Sequence, residues 1–520
     1  MTSQLLPIDA GTPGRLGLNF QKQNSLLPFI WATEATNCRM DSAQRLAIRD
    51  GYAVTTAENA RTSSLLIKST FEYLKGDGAV ETVFATDDNL YKNPDNPAPI
   101  KGSLTITDGS WYFQNFNNKC LGFQNGSKPI VYTGTNFAVI TESSGTAPTS
   151  KDGIALTAYG RVWVLDSDGQ TIKYSSLLDE TNWGGAGAGQ IDMASVWTNG
   201  MDEVKAIAAF NGSLLVFGKN HVVIWEDDLG STIGVNPSSL AVVDVIEGTG
   251  CISHWTISLI GETDIVFMSR NGLQSLGRIL QEKSNPLRTV SKYVRDRLVL
   301  DATSSNVLDL RSSYSPEEGL YLLSIPSSNI LYTFDVRNMI KDEEQDIIFP
   351  CYQWVFKNSS GNFFSPYSLC VTQAGALLLG SNTGEIYTYG AATDNGSVIS
   401  FKYASPWLDL GPDLNSRKKM LKQISSVLNI SVNSNVFFKW STDFNNKENS
   451  ISKRLEAPTT AEWGIAEWGL SEFSGGKKLT ILDLPARQTG QYYKIKIQTE
   501  TTGDFAVEQL KLFAKIGRLT

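Results

Sequence analysis

The chain has only two histidines, His221 and His254, in 520 residues, so imidazole chemistry has at most two places to occur. His221 falls inside a strand pattern, where an edge or core role is expected. His254 follows Cys251 in the run CISH, which offers two metal ligands where a structural zinc site needs four. No second Cys/His pair stands near it in sequence, and no metal is expected. The five cysteines, Cys38, Cys120, Cys251, Cys351 and Cys370, are odd in number, scattered and without CxxC spacing. Such a set predicts reduced, mostly buried thiols in a protein made in a cytoplasm, not a disulfide framework. No apolar run reaches the roughly 18 residues that cross a bilayer. The start, MTSQLLPIDAGTPGR, lacks the basic opening and apolar core of a secretory signal. Neither a membrane segment nor export by the usual route is expected.

Other chemistry is missing too. There is no GxxxxGK[ST] phosphate loop and no GxSxG nucleophile elbow. The run DSDG at 166–169 opens like a calcium loop, but Asp179 and Glu180 follow at the wrong distance for an EF-hand. A hairpin turn accounts for it without an ion. The 53 Asp and Glu residues leave room for a pair of hydrolytic carboxylates, and the 12 tryptophans could line a sugar cleft. Trp111, Trp163, Trp225, Trp354, Trp407 and Trp440 nevertheless fall mostly in strand positions, where aromatic residues fill cores. No catalytic, cofactor-binding or metal-binding residue is assigned. A formal charge of −8 argues against nucleic-acid binding through the net field. No run of Lys and Arg interleaved with aromatics resembles a single-strand groove.

What is present is a repeated strand-turn-strand outline. Residues 162–183, VWVLDSDGQTIKYSSLLDETNW, alternate apolar and polar positions on either side of the turn at 166–169. The outline recurs at 83–92, 112–123, 214–225, 265–277, 320–334 and 376–389. After the second copy the spacing settles near roughly fifty residues, a propeller-blade period. The reading is all-β: a toroidal β-propeller of about seven blades over 63–400, an N-terminal arm with closing strands over 1–62, and a C-terminal β-sandwich over 401–520. Short strands in the arm, within 26–38 and 45–54, are placed to close the toroid by adding a strand to the last blade, or to reach a neighbouring subunit. A short helix is expected within 291–314, from the spacing of Val294, Leu298 and Leu300. The charged run KDEEQD at 341–346 reads as a solvated loop or as an acidic contact for a partner ring. In the terminal domain, Lys494, Lys496, Lys511 and Lys515 are expected on strand edges, discouraging aggregation.

Several of these pieces resemble the tail-nozzle, or packaged-DNA stabilisation, proteins of short-tailed bacteriophages. NCRMDSAQRLAIRDGY at 37–52 is similar to their early motif, an Asn followed by an Arg-x-Gly-Tyr turn, with Asp50 where many relatives carry Pro. TIKYSSLLDETNW at 171–183 resembles their Tyr-Ser, Asp, Trp signature. The segments 202–225 and 405–420 resemble the following blade and the start of the terminal sandwich. The resemblance implies a non-enzymatic structural virion protein, located in the tail and made in the host cytoplasm. It would form a homohexameric ring below the portal and adaptor, continue the DNA channel without reading sequence, retain the genome until ejection, and dock tail fibres, spikes or a plug. The contrasting expectation from fold class and Trp content is a propeller glycosidase or carbohydrate-binding protein.

Overall fold

The structure, a computed structural model, describes residues 6–9, 11–55, 66–132, 134–198, 200–227, 239–261, 263–281, 289–342, 344–358, 360–409, 417–445, 447–457 and 478–519. The boundary expected at 62–63 lies outside the described residues. Among them, seven antiparallel blades correspond one to one with the seven hairpins read from the sequence, six as small separate sheets and one as the end of a nine-stranded sheet. Blade 1 covers residues 67–99, blade 2 112–139, blade 3 150–192, blade 4 206–247, blade 5 258–275, blade 6 311–354 and blade 7 368–391. Blade 5 has three described strands and runs straight into the helix Leu276–Gln281.

Local chemistry explains why these segments fold back on themselves. Two-residue hairpins need positive φ at both central positions if the turn is to match the right-handed twist of the strands. The pairs Asn117-Asn118, Tyr159-Gly160 and Asn211-Gly212 all adopt it. The first strand of each blade lines the axis. Those of blades 1 to 4 are neighbours in turn, and so are those of blades 5, 6, 7 and then 1 again. A shared apolar cluster containing Ala206, Phe217, Ile265 and Phe267 joins blade 4 to blade 5.

Blade 7 takes its outermost strand from the N-terminal arm. Gly51–Val54 pairs antiparallel with Ile386–Ala391, in the register Tyr387↔Val54 and Tyr389↔Tyr52. One of the two roles expected for the arm is therefore the observed one: a strand from the start of the chain closes the toroid and covers the edge of the last blade.

The sandwich is less separate than its sequence boundary suggests. One of its sheets is continuous with blade 6. The order runs through that blade to Cys351–Trp354, then Glu34–Thr36, Ile399–Ala404, Tyr493–Thr501, Ser434–Thr442 and Asn449–Leu455. The facing sheet carries Cys38–Met40, Leu46–Ile48, Phe505–Leu519, Arg417–Ile430 and Lys478–Gly490 in that order, with Leu6–Asp9 also paired to Phe505–Leu519. A single apolar core follows, from Leu323, Phe334 and Tyr352 in blade 6 to Phe438, Ile497 and Leu512 between the sandwich sheets. Burying each such side chain is worth roughly 1.5–3 kcal/mol, so propeller and sandwich stabilise one another.

Two sequence expectations need adjustment. Lys494 and Lys496 lie on an interior strand, flanked by Ile399–Ala404 and Ser434–Thr442, and Lys511 and Lys515 lie on the similarly flanked Phe505–Leu519. Alternation reports which face a side chain occupies, not whether its strand is an edge. Among the described strands, the sandwich edges are Asn449–Leu455 on one sheet and Lys478–Gly490, Cys38–Met40 and Leu6–Asp9 on the other. The expected helix is present as Arg295–Thr303, with Leu298 buried, but Leu300 points outward at 66% exposure. Trp111, Trp163, Trp225, Trp354 and Trp440 are buried in blade and sandwich cores. Trp407 is half-buried against Phe444.

Candidate functional site

Residues of the segment 37–52 converge on one joint between the arm, blade 6, blade 7 and the sandwich. Asn37 takes a left-handed backbone, φ 56°, which its short polar side chain tolerates. Its Nδ2 donates to the Ser400 carbonyl at 2.8 Å. Its Oδ1 accepts from Val355 N at 2.8 Å and from Arg49 Nε at 2.9 Å. The Arg49 guanidinium spends its remaining donors on both Asp394 oxygens, at 2.8 Å each, and on the carbonyls of Asp50 and Val355, at 2.7 Å each. All five N–H groups of a guanidinium are thereby used, and its face lies 4.0 Å from the Phe356 ring centre. Arg49 and Asp394 are almost wholly buried. A buried ion pair is tolerable only when every donor and lone pair is satisfied in this way.

Gly51 and Tyr52 complete the clasp. A Cβ at position 51 would stand 2.1 Å from the Thr393 carbonyl oxygen. The Tyr52 ring stacks on Tyr387 at 4.0 Å, and its hydroxyl donates to the Lys357 carbonyl. Asp50 pairs with Arg39 at 2.9 Å, and Arg39 also reaches Glu318. In the second motif segment, Ser175 Oγ accepts from Val162 N at 3.1 Å, Asp179 Oδ1 accepts from Thr181 N at 2.9 Å, and Trp183 is buried against blade 2. These side chains fix shape.

The other groups singled out in the sequence are likewise engaged. His221 Nδ1 lies 2.7 Å from Asp202 Oδ2, and Asp202 also accepts from the amides of Glu203, Lys219 and Asn220. The five cysteines are free thiols. Burial pushes Cys251 up to about 11 and Cys370 up to about 12, far from the thiolate a nucleophile requires. At the DSDG turn, Asp168 Oδ1 accepts from the amides of Gln170 and Thr171.

The acidic run folds between Ile340–Lys341 and Ile347–Ile348 and gathers three carboxylates, of which Asp346 is buried and Glu344 exposed. Asp342, Glu344 and Asp346 bring ligand oxygens within 4.8 Å of one another, but the Lys292 ammonium already sits among them, at 2.8, 2.7 and 3.2 Å. Burial pushes the Asp342 carboxyl up; the hydrogen bond from Lys292, the amides of Asp346 and Glu344 and the Lys292 charge together outweigh it and hold the group below its usual range. Instead of a loop solvated throughout, the run is in large part neutralised within the chain.

The axis of the propeller contains a cavity of about 330 Å³ lined by the inner strands of blades 1, 2, 6 and 7 and by the residues leading into blade 5. Its walls include Phe71, Trp111, Tyr112, His254, Trp255 and Arg311. The sequence suggested His254 only as half of a metal pair, whereas its ring packs against Tyr112 and Trp255, at 5.2 and 4.7 Å. The aromatic residue directly after it in CISHW was the available signal. Arg311, on a strand 57 positions away in the numbering, left none.

His254 makes a titration prediction. Burial, with the nearby Arg311 charge, lowers it to about 3. The folded chain keeps it neutral while the unfolded chain takes up a proton below about pH 6.5. The stability from this group is therefore complete above that pH and is lost as pH falls toward 3. Between pH 6.5 and 5, the His254→Phe protein is expected to lose about 2 kcal/mol less than the parent, read from urea midpoints at the two pH values.

No protein-family model matches the chain, and no curated protein matches it. Among solved structures, the WD40 propeller domain of Doa1 superposes with a TM-score of 0.39 at 10% identity, covering 66% of this chain and 97% of that one. The extracellular domain of a one-component system of B. thetaiotaomicron gives 0.39 at 10% identity, covering 88% of this chain and 62% of that one. Virginiamycin B lyase from Staphylococcus aureus, solved with quinupristin, gives 0.34 at 8%, covering 63% and 97%. At such identities the likeness concerns fold alone. The chain is a β-propeller with an appended β-sandwich.

Proposed function

We propose that the chain is a structural virion protein whose copies form a homohexameric ring, the nozzle of a short phage tail. In this reading the ring continues the DNA channel below the portal and adaptor, retains the packaged genome, and docks fibres, spikes or a plug. The observation that carries it is the fate of the motif on which the phage resemblance rests. Asn37, Arg49, Gly51 and Tyr52 do no chemistry on a ligand; they lock arm, two blades and sandwich into one body. A part that holds DNA under pressure needs that stiffness, and the clasp supplies it at the joint where separate domains would flex. The excess of acid, a formal −8 per copy, suits a lumen through which DNA slides without sticking. Rings of this kind use head-to-tail contacts closed by rotation.

The first test is native mass spectrometry or mass photometry of the purified chain. A particle of about six times the 57.0 kDa chain mass is expected, either alone or on addition of the adaptor ring. A single-chain mass under both conditions contradicts the proposal.

A further inference from the structure

We propose that the axial cavity is a binding site for a small carboxylate carrying a flat, apolar body, held by Arg311 and His254 between the aromatic walls. Its volume of about 330 Å³ lies at the low end of the roughly 300–1,000 Å³ typical of small-molecule pockets. The site lies on the axis of one propeller and is separate from any channel formed between copies. It stands whether or not the chain forms a ring.

Charge is the first argument. The ionisable residues lining the cavity are Lys68, Tyr112, His254, Arg311 and Cys370, and no carboxylate is among its described lining residues. Lys68 is already neutralised by Asp87 and Asp108, each at 2.8 Å. Arg311 is not: it is buried, and its hydrogen bonds go to the carbonyls of Lys68, Leu308 and Leu310 and weakly to Ser110 Oγ. None of these carries charge. Asp309 and Asp108 act on it by charge without a hydrogen bond to it, and burial outweighs them, pulling Arg311 down to about 10; a buried cation with no carboxylate bonded to it is costly. Arg49 shows the same side chain fully compensated elsewhere in the molecule.

Unused hydrogen-bonding capacity is the second argument. Both ring nitrogens of His254 are buried and without a partner, on a side chain only 6% exposed. A neutral imidazole has one N–H to donate and one lone pair to fill, and buried polar atoms left empty are uncommon enough to need a cause. The indole N–H of Trp111, on the same wall, is also buried and unpartnered. An oxyanion accepts from such donors and sets a carboxylate directly against Arg311, which none of its present hydrogen-bond partners does.

Shape supplies the apolar half of the ligand. Tyr112 stands nearly perpendicular to both His254 and Trp255, at 85° and 84°. Trp255 covers one face of the Arg311 guanidinium at 3.9 Å. Phe71, Trp111 and Phe113 continue the wall. Flat rings pack against such surfaces edge-on or offset.

The chain's two histidines make the test clean. In protein labelled with ¹³C at histidine Cε1, two imidazole signals are expected, and His254→Gln assigns the one from the cavity. Titration with benzoate is expected to move that signal saturably and leave His221 in place, with benzyl alcohol and inorganic phosphate each needing at least about tenfold more ligand. Arg311→Met is expected to weaken benzoate by a similar factor. Should that variant not fold, quenching of tryptophan fluorescence by benzoate in His254→Gln provides the second reading, with at least about fivefold weaker binding expected. No movement of the His254 signal up to the solubility of benzoate overturns the site. So does an equal response to benzyl alcohol or phosphate, or unchanged affinity in the variants. None of these readouts depends on copy number, so their failure leaves the ring proposal to its own test.

Discussion

Replacing Arg49 with methionine is expected to cost the folded chain about 3–5 kcal/mol, the loss typical of breaking a buried ion pair. The substitution strands Asp394 in the interior with no cation and removes donors from Asn37 and from the carbonyls of Asp50 and Val355. Asp394→Asn, which keeps the shape and discards one charge, is expected to fall in the same direction. The double variant should cost less than the sum of the two, because the stranded charge is then gone. Denaturant midpoints of the four proteins measure the cycle. A loss below about 1 kcal/mol for Arg49→Met would mean that the joint is wet and that the arm is not held as described.

Gly51→Val is the second large effect, and it acts on the ring itself. The new Cβ would fall 2.1 Å from the oxygen and 2.2 Å from the carbon of Thr393, both main-chain atoms that cannot swing aside. Strand 51–54 then cannot keep its register on Ile386–Ala391, and blade 7 loses its outer strand. A cost of about 3 kcal/mol or more is expected from overpacking combined with lost ladder bonds. The loss should be accompanied by new protease cleavage in the arm, since an unpaired strand is open to attack. Limited proteolysis beside the parent protein is the direct measurement. Identical digestion patterns and melting curves would mean that the N-terminal strand does not close the toroid.

The sequence was informative wherever structure is local. A hairpin is specified by alternation plus a turn of a given chemistry, and each of the seven segments carries both, so the blades could be located and their number put at about seven. The closing strand was legible only in part: RLAIRDGYAV reads as one short strand, whereas its Leu46–Ile48 joins a sandwich sheet and only Gly51–Val54 closes the toroid. Legibility ended where pairing is long-range. Nothing in Glu34–Thr36 shows that it will bridge Cys351–Trp354 to Ile399–Ala404, more than 300 positions away, and join blade 6 to the sandwich in one sheet. The lysines of Tyr493–Thr501 have the same alternation on an interior strand as they would on an edge. The axial cavity was illegible for the strongest form of this reason, since Lys68, Tyr112, His254, Arg311 and Ser368 meet only after the toroid has closed. The clasp lies between these extremes. Its motif residues were visible as a cluster, but Asp394, the anion that gives Arg49 its role, sits in an unremarkable loop.

The proposed ring around DNA is tested most directly by a cryo-electron microscopy reconstruction of a phage tail expected to contain this chain. Six copies around one axis are expected, each with its own closed propeller, enclosing a central passage wide enough for a duplex. A single copy off the axis, or a chain absent from the tail altogether, would contradict it.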